Sequence, residues 1–321
     1  MSVLVTGGAG FIGSHFIELM LRESDDALIC IDNFNSYYDP KLKRSNVAVF
    51  SDEPRVTVLE SDFTDLENDL KILKDHKVDR VLHLGAYAGV RASVENPRIY
   101  QESNVAGTLA LLEAARQYGR LDRFLLVSSS TVYGGGADVP FKENAPLGIP
   151  MSPYGATKRS AELFGLTYHA LHDLPVVCLR PFSVYGPRIR PDLALSIFTR
   201  AIYLGDEFPL YGDGSFRRDF THVSDICRGL KSALSSPTAV GQEINLGNDN
   251  PVEMREIIER LEKALGKKAV IDRRPERPED LPATWADLTK ARELLGYSPK
   301  VKLDEGIPEF AKWYVDWYGS H

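Results

Sequence analysis

Short apolar runs alternate with stretches of helical periodicity through the first half of the chain. The runs lie at residues 3–5, 28–31, 56–59, 81–84 and 124–127, with a further one at 176–179. Each is continuous rather than alternating, as expected for strands buried on both faces of a sheet. Between them, residues 12–23, 65–75, 98–118 and 154–173 carry the period of helices packed on one face. Strand–helix alternation of this kind predicts an α/β fold built on a doubly wound parallel sheet.

After Arg180 the texture changes. Pro181, Pro187, Pro191 and Pro209, with Gly186, Gly205, Gly212 and Gly214, break the alternation into loops and short helices. Residues 251–265 read as an amphipathic helix, and 273–282 as a Pro- and Arg-rich loop. The pattern divides the chain into a larger domain over 1–180, with a return around 217–247, and a smaller C-terminal lobe from 181–216 and 248–321.

Composition narrows the class. With 321 residues, 43% of them hydrophobic, the chain has ample material for a packed interior. A formal net charge of −7 and scattered basic residues argue against a nucleic-acid partner. Cys30, Cys178 and Cys227 are far apart and sit in or beside apolar runs, which suits reduced buried thiols and offers neither a disulfide framework nor a metal site. No apolar run approaches the ~20 residues of a membrane span, and a first strand from Ser2 leaves no room for a signal peptide. A cytoplasmic, soluble protein is expected.

The first strand runs into Thr6-Gly7-Gly8-Ala9-Gly10-Phe11-Ile12-Gly13 and then a helix. Glycines in that spacing permit a tight turn, bring a pyrophosphate close to the backbone and let the helix pack near the sheet. The helix N-terminus offers free N–H groups to phosphates. Asp32 ends the second strand, nineteen residues past Gly13. An acid there suits two ribose hydroxyls and repels a 2′-phosphate, which selects NAD over NADP. A plain Gly-rich turn would lack this strand, helix and acid. Asp62 and Phe63 follow the third strand, where a carboxylate can accept from an adenine amino group. An Asp there is also a common helix cap.

Chemistry concentrates after the strand at 124–127. Ser128-Ser129-Ser130-Thr131-Val132-Tyr133-Gly134 follows it, and a later helix opens with Tyr154-Gly155-Ala156-Thr157-Lys158. The four-residue spacing puts Tyr154 and Lys158 on one helix face. A lysine ammonium beside a phenol favours the phenolate and prepares a general base.

With these residues in view, the chain resembles the extended short-chain dehydrogenase/reductase family, and within it the nucleotide-sugar epimerases. The resemblance spans nearly the whole length. It includes the Gly motif, His83-Leu84-Gly85-Ala86, Asn104-Val105-Ala106-Gly107-Thr108, the serine-rich run, Tyr154 with Lys158, Tyr185-Gly186-Pro187 and Arg218-Asp219-Phe220. It implies a Rossmann-type NAD domain with a C-terminal sugar-nucleotide lobe, and a homodimer formed through the helices near 98–118 and 154–173. Ser129, Tyr154 and Lys158 match the family's catalytic residues. Gly7, Gly10, Phe11, Ile12, Gly13, Asp32, Asn33, Asp62, Phe63, Leu84, Ala86, Asn104 and Phe182, with Tyr154 and Lys158, fall at its NAD-contacting positions. The implied reaction oxidises the sugar at C4 and reduces it again on the other face.

Departures narrow the branch. The dehydratases of this fold carry an Asp-Glu pair where Ser130 and Thr131 stand, and the uronate decarboxylases carry a Glu at Thr131. Epimerisation remains. Arg188-Ile189-Arg190-Pro191-Asp192 and Ala88-Gly89-Val90-Arg91 resemble UDP-glucuronate 4-epimerases. Arg190 is expected to bind the sugar carboxylate in a plane, with Ser130, Thr131 and Ser183 around it. The competing reading pairs Arg190 with Asp192 or a phosphate. Arg218 matches the diphosphate-binding arginine, Arg91 is a second diphosphate candidate, Tyr211 is placed to stack on uracil, and Arg277 and Asp280 fall near a nucleotide-contacting pair. Two alternatives stay open: UDP-glucose 4-epimerase, and a catalytically silent NAD-binding regulator.

Overall fold

The computed structural model describes residues 1–276 and 281–319. A seven-stranded parallel sheet forms its centre. Strands β1 (Ser2–Thr6), β2 (Ala27–Asp32), β3 (Val56–Glu60), β4 (Arg80–His83), β5 (Arg123–Val127) and β6 (Val176–Pro181) lie in the order β3-β2-β1-β4-β5-β6, and the strand Glu243–Leu246 closes the far edge. The chain order reverses between β1 and β4, so the crevice at the carboxyl ends of the strands opens there. The doubly wound α/β expectation holds. One strand differs: β3 sits at the sheet edge and is only partly buried, although its apolar run matches the central strands. An edge strand has a neighbour on one side only, and composition does not report that.

The helices end where their cap residues dictate. Helix α1 (Phe11–Glu23) starts directly after the glycine turn, and α2 (Pro40–Ala48) is capped by Asp39. Helix α3 (Leu66–Asp75) is capped by Asp65, which accepts from the Asn68 amide. The segment expected as one helix over 98–118 is three pieces. Helix α4 (Val90–Glu95) precedes α5 (Pro97–Tyr100), a π-helical turn covers Gln101–Gly107, and α6 (Thr108–Tyr118) completes the rod. Such wide turns recur at functional sites, and this one carries Asn104. Helix α7 (Pro153–His172) begins at Ser152, whose hydroxyl accepts from the Gly155 amide, with Pro153 in the first turn.

Beyond β6 the chain forms α8 (Ala194–Leu204), then a strand at Glu207–Tyr211 that pairs in parallel with Val270–Arg274. Residues 273 and 274, expected in a loop, are therefore strand. Helix α9 (Val223–Ser235) packs back on α1, and the strand Glu243–Leu246 joins the main sheet beside β6. Helix α10 (Met254–Leu265) starts after a two-residue strand at Val252–Glu253, followed by α11 (Thr289–Leu295) and α12 (Leu303–Gly319). All three cysteines are free and buried. Among the described residues no helix is long and apolar enough to cross a membrane.

A buried ion pair fixes α7 on the sheet. Arg180 of β6 and Glu162 of α7 are 1% and 2% exposed and form a two-pronged bridge at 2.8 and 2.9 Å. Arg180 also donates to the Tyr133 hydroxyl at 3.2 Å, which donates to Asn245 at 2.7 Å. Burial works against the guanidinium charge, but Glu162 outweighs it and keeps the arginine firmly protonated. Removing one partner strands the other charge in the interior, which costs about 3–5 kcal/mol. Glu162→Gln is expected to lower the urea midpoint by that amount of stability at unchanged slope. A midpoint equal to wild type would show that the pair does not hold α7.

Candidate active site

The turn after β1 is shaped for close approach. A Cβ on Gly13 would run into the Gly7 carbonyl oxygen, so only glycine lets α1 start against the turn. The Gly10 carbonyl opens the helix by accepting from the Ser14 amide at 3.0 Å. Phe11 is buried and Ile12 partly buried, so their side chains pack the helix to the core. Beneath the turn, Thr6 Oγ1 accepts from the Gly85 amide at 2.9 Å and meets His83 Nδ1 at 2.7 Å, while His83 Nε2 meets Thr108 Oγ1 at 2.9 Å. Burial, aided by Lys158, pushes His83 down to about 3. A neutral imidazole thus joins β1, β4 and α6 under the loop that carries Leu84 and Ala86, both partly exposed.

At the end of β2, Asp32 Oδ1 accepts from the Phe34 amide at 2.9 Å and from Lys43 at 3.1 Å. Its Oδ2 makes no hydrogen bond among the described residues. Lys43 is 6% exposed, and the sequence reading missed it. A lysine in an exposed-looking polar stretch gives little sign that it is buried against an acid eleven residues back. Asn33 donates to Asp62 Oδ2 at 2.8 Å, so those two expected adenine-side residues form one unit.

Three of the expected cofactor-side residues also make contacts within the protein. The Phe63 ring is buried edge-on to His83, with centroids 4.9 Å apart, and underlies Gly85 and Gly107. Phe182 is 1% exposed and packs with Tyr133 and Phe141. Both rings are buried. The Asn104 amide makes three hydrogen bonds within the protein. It accepts from the Tyr87 amide at 2.8 Å and donates to the Tyr87 carbonyl at 2.8 Å and to Thr157 at 3.1 Å. It pins the loop after β4 to α7.

Ser129 stands at the carboxyl end of β5, where it caps a short turn through Thr131, whose amide and hydroxyl donate to Ser129 Oγ at 3.2 and 3.0 Å. Tyr154 begins α7, and its amide donates to Ser93 at 3.1 Å. Burial raises the Tyr154 phenol. Arg190 and a hydrogen bond with Ser129 pull it back down, and Asp192 pushes it up. Lys158 is 6% exposed, is lowered to about 8 by burial, and donates to the Val127 carbonyl at 2.9 Å. Arg190 favours the Tyr154 phenolate, while Lys158 bonds to the carbonyl at the end of β5.

Arg190 grips Asp192 by two bonds, Nε to Oδ1 at 2.9 Å and Nη2 to Oδ2 at 3.0 Å. The competing reading of this arginine is thus met in part: it is paired, and it also acts on the catalytic phenol. Tyr37 donates to Asp192 Oδ2 at 3.2 Å, a partner that the sequence reading missed. Across the cleft, Arg91 lies 5.9 Å from the Tyr211 ring centroid. Arg218 donates to the Arg217 and Leu281 carbonyls, both at 2.9 Å, and lies beside the Phe216 ring. Ser130, Thr131 and Ser183 are partly exposed near the strand ends. Arg277 and Asp280 lie outside the described residues.

Comparison with known proteins agrees with this architecture. A model of the family described as GDP-mannose 4,6 dehydratase matches residues 4–310. A UDP-glucuronate 4-epimerase of Thermodesulfobacterium geofontis is 39% identical, over 97% of this chain and 95% of that protein. The crystal structure of UDP-glucuronic acid 4-epimerase from Bacillus cereus, in complex with UDP-glucuronic acid and NAD, superposes with a TM-score of 0.93 at 36% identity. It covers 99% of this chain and 100% of that one. The UDP-glucose 4-epimerase structure from Thermotoga maritima gives 0.89 at 30% identity, over 99% and 100%. By a match that runs almost end to end, the chain belongs to the GDP-mannose 4,6 dehydratase family, within the extended short-chain dehydrogenases/reductases.

Proposed function

We propose that this chain is an NAD-dependent UDP-glucuronate 4-epimerase. One observation carries the reading: the guanidinium of Arg190, paired with Asp192, acts on the phenol of Tyr154, and positions 130 and 131 carry hydroxyls rather than carboxyls. The turn at Gly7–Gly13 and the unbonded Oδ2 of Asp32 fit a dinucleotide with a free 2′-hydroxyl. When bound, NAD supplies the hydride acceptor and donor.

The chain's own residues handle the proton and the orientation. Tyr154 removes the proton from the C4 hydroxyl and later returns one to the same oxygen, while Ser129 hydrogen-bonds that oxygen. Lys158 is assigned to the ribose side and Arg190 to the sugar carboxylate, with Ser130, Thr131 and Ser183 completing the pocket. Arg91, Tyr211 and Arg218 are assigned to the nucleotide. Ser130 and Thr131 offer no carboxyl group for elimination across C5–C6, which favours epimerisation over dehydration. UDP-glucose 4-epimerase is the second reading, favoured by the finding that Arg190 already has a carboxylate in Asp192. We also propose a cytoplasmic homodimer, supported by Leu163 and Leu171, which are 60% and 70% exposed on α7.

Two variants test the proposal. Tyr154→Phe removes the proton acceptor at little change in volume, so NAD binding should persist while turnover falls about 10²–10⁴-fold. Near-normal turnover would remove Tyr154 from the chemistry. Arg190→Ala should lower kcat/KM for UDP-glucuronate about ten- to a hundredfold, as expected for a charged hydrogen bond, and leave a neutral UDP-hexose nearly unaffected. Equal losses on both substrates would favour the glucose-type reading.

A further inference from the structure

Asp192 does more than neutralise an arginine. A guanidinium has two edges able to take a carboxylate in a plane: the Nε/Nη2 side and the Nη1/Nη2 end. Asp192 occupies the side edge with both oxygens. Arg190 Nη1 makes no hydrogen bond among the described residues, so the end edge is available. The arginine acts electrostatically on both Tyr154 and Lys158, so its charge lies within reach of both.

Asp192 is itself tethered. Tyr37 donates to its Oδ2, and the Tyr37 ring lies 6.0 Å from the Arg190 guanidinium carbon. Burial opposes the Asp192 charge, yet Arg190 holds the carboxyl below its usual range, so the clamp is ionised at neutral pH. Gly89 makes room for it. That residue has φ +105, and a Cβ there would strike the Tyr37 hydroxyl. Tyr37 stands five residues beyond Asp32, on the loop that leaves β2, so the cofactor-side acid and the clamp share one short segment. A partly solvated ion pair adds little to stability. Its bidentate geometry does fix an orientation.

We propose that Asp192, held by Tyr37, is a positioning residue that presents the free edge of Arg190 to the carboxylate of a uronate substrate. This rests on the uronate reading given above. The protein then distinguishes a uronate from a neutral sugar with an arginine that is oriented before substrate arrives, and less ordering is required on binding.

The test uses NAD-loaded enzyme, measuring kcat and KM for UDP-glucuronate and the affinity for UDP alone. Asp192→Asn keeps the shape but sets an amide N–H against the guanidinium. It should raise KM about tenfold or more, with a smaller effect on kcat and unchanged UDP affinity. Tyr37→Phe should act in the same direction, by about two- to fivefold. Unchanged KM in both variants would overturn the inference, as would a lower KM, which would make Asp192 a competitor of the substrate. UDP affinity lost in parallel would make the clamp merely structural and also overturn it. A wild-type enzyme without preference for the uronate over UDP-glucose would defeat the uronate reading itself. Wild-type preference retained in both variants would defeat the positioning role alone.

Discussion

The bond between Glu162 and Arg180 sets where the chemistry sits. Tyr154 and Lys158 belong to α7, whereas Ser129 follows β5 and Phe182 and Ser183 follow β6. These parts meet only if α7 lies against the sheet in one register and rotation. Apolar packing alone tolerates small slides of a helix on a sheet, but a buried two-pronged ion pair does not, because displacement leaves charges unsatisfied. The hydrogen bonds from Arg180 to Tyr133 and from Tyr133 to Asn245 carry the constraint to the turn after Ser129 and to the last strand. Glu162 also raises the proton affinity of Lys158, partly offsetting the burial that lowers it to about 8.

Within that frame the electrostatics are opposed in a useful way. Burying a phenol makes the phenolate costly, and the protein answers with Arg190 and a hydrogen bond from Ser129. Arg190 in turn depends on Asp192, and Asp192 on Tyr37 and on the empty space at Gly89. The loop from Asp32 to Asp39 therefore serves two sites. Its first residue, Asp32, is assigned in our proposal to the nucleotide side, and Tyr37 bonds to Asp192 on the proposed sugar side. Lys43 gives the buried Asp32 carboxylate a paired counter-charge at 3.1 Å.

Much of this was legible from residue order. The strands and most helices follow from apolar periodicity, and the glycine turn, Asp32, Ser129, Tyr154 and Lys158 were found by motif. What escaped depends on partners far apart in the chain. The Asn104 amide bonds to Tyr87 and Thr157, which the motif alone does not show. The Phe63 and Phe182 rings pack against His83 and Tyr133. Tyr37 bonds to a residue 155 positions away. The edge position of β3 and the π turn at Gln101–Gly107 follow from neighbours and packing, which local composition does not encode.

The central claim is that this fold inverts one carbon of a uronate by removing and restoring the same hydrogen in a closed site. The direct measurement is NMR of UDP-glucuronate incubated with the NAD-loaded enzyme in deuterated water. Conversion to the C4 epimer with protium retained at C4 and the carboxyl group intact is the predicted result. Deuterium at C4, loss of carbon dioxide, or a deoxy-keto product would contradict the account.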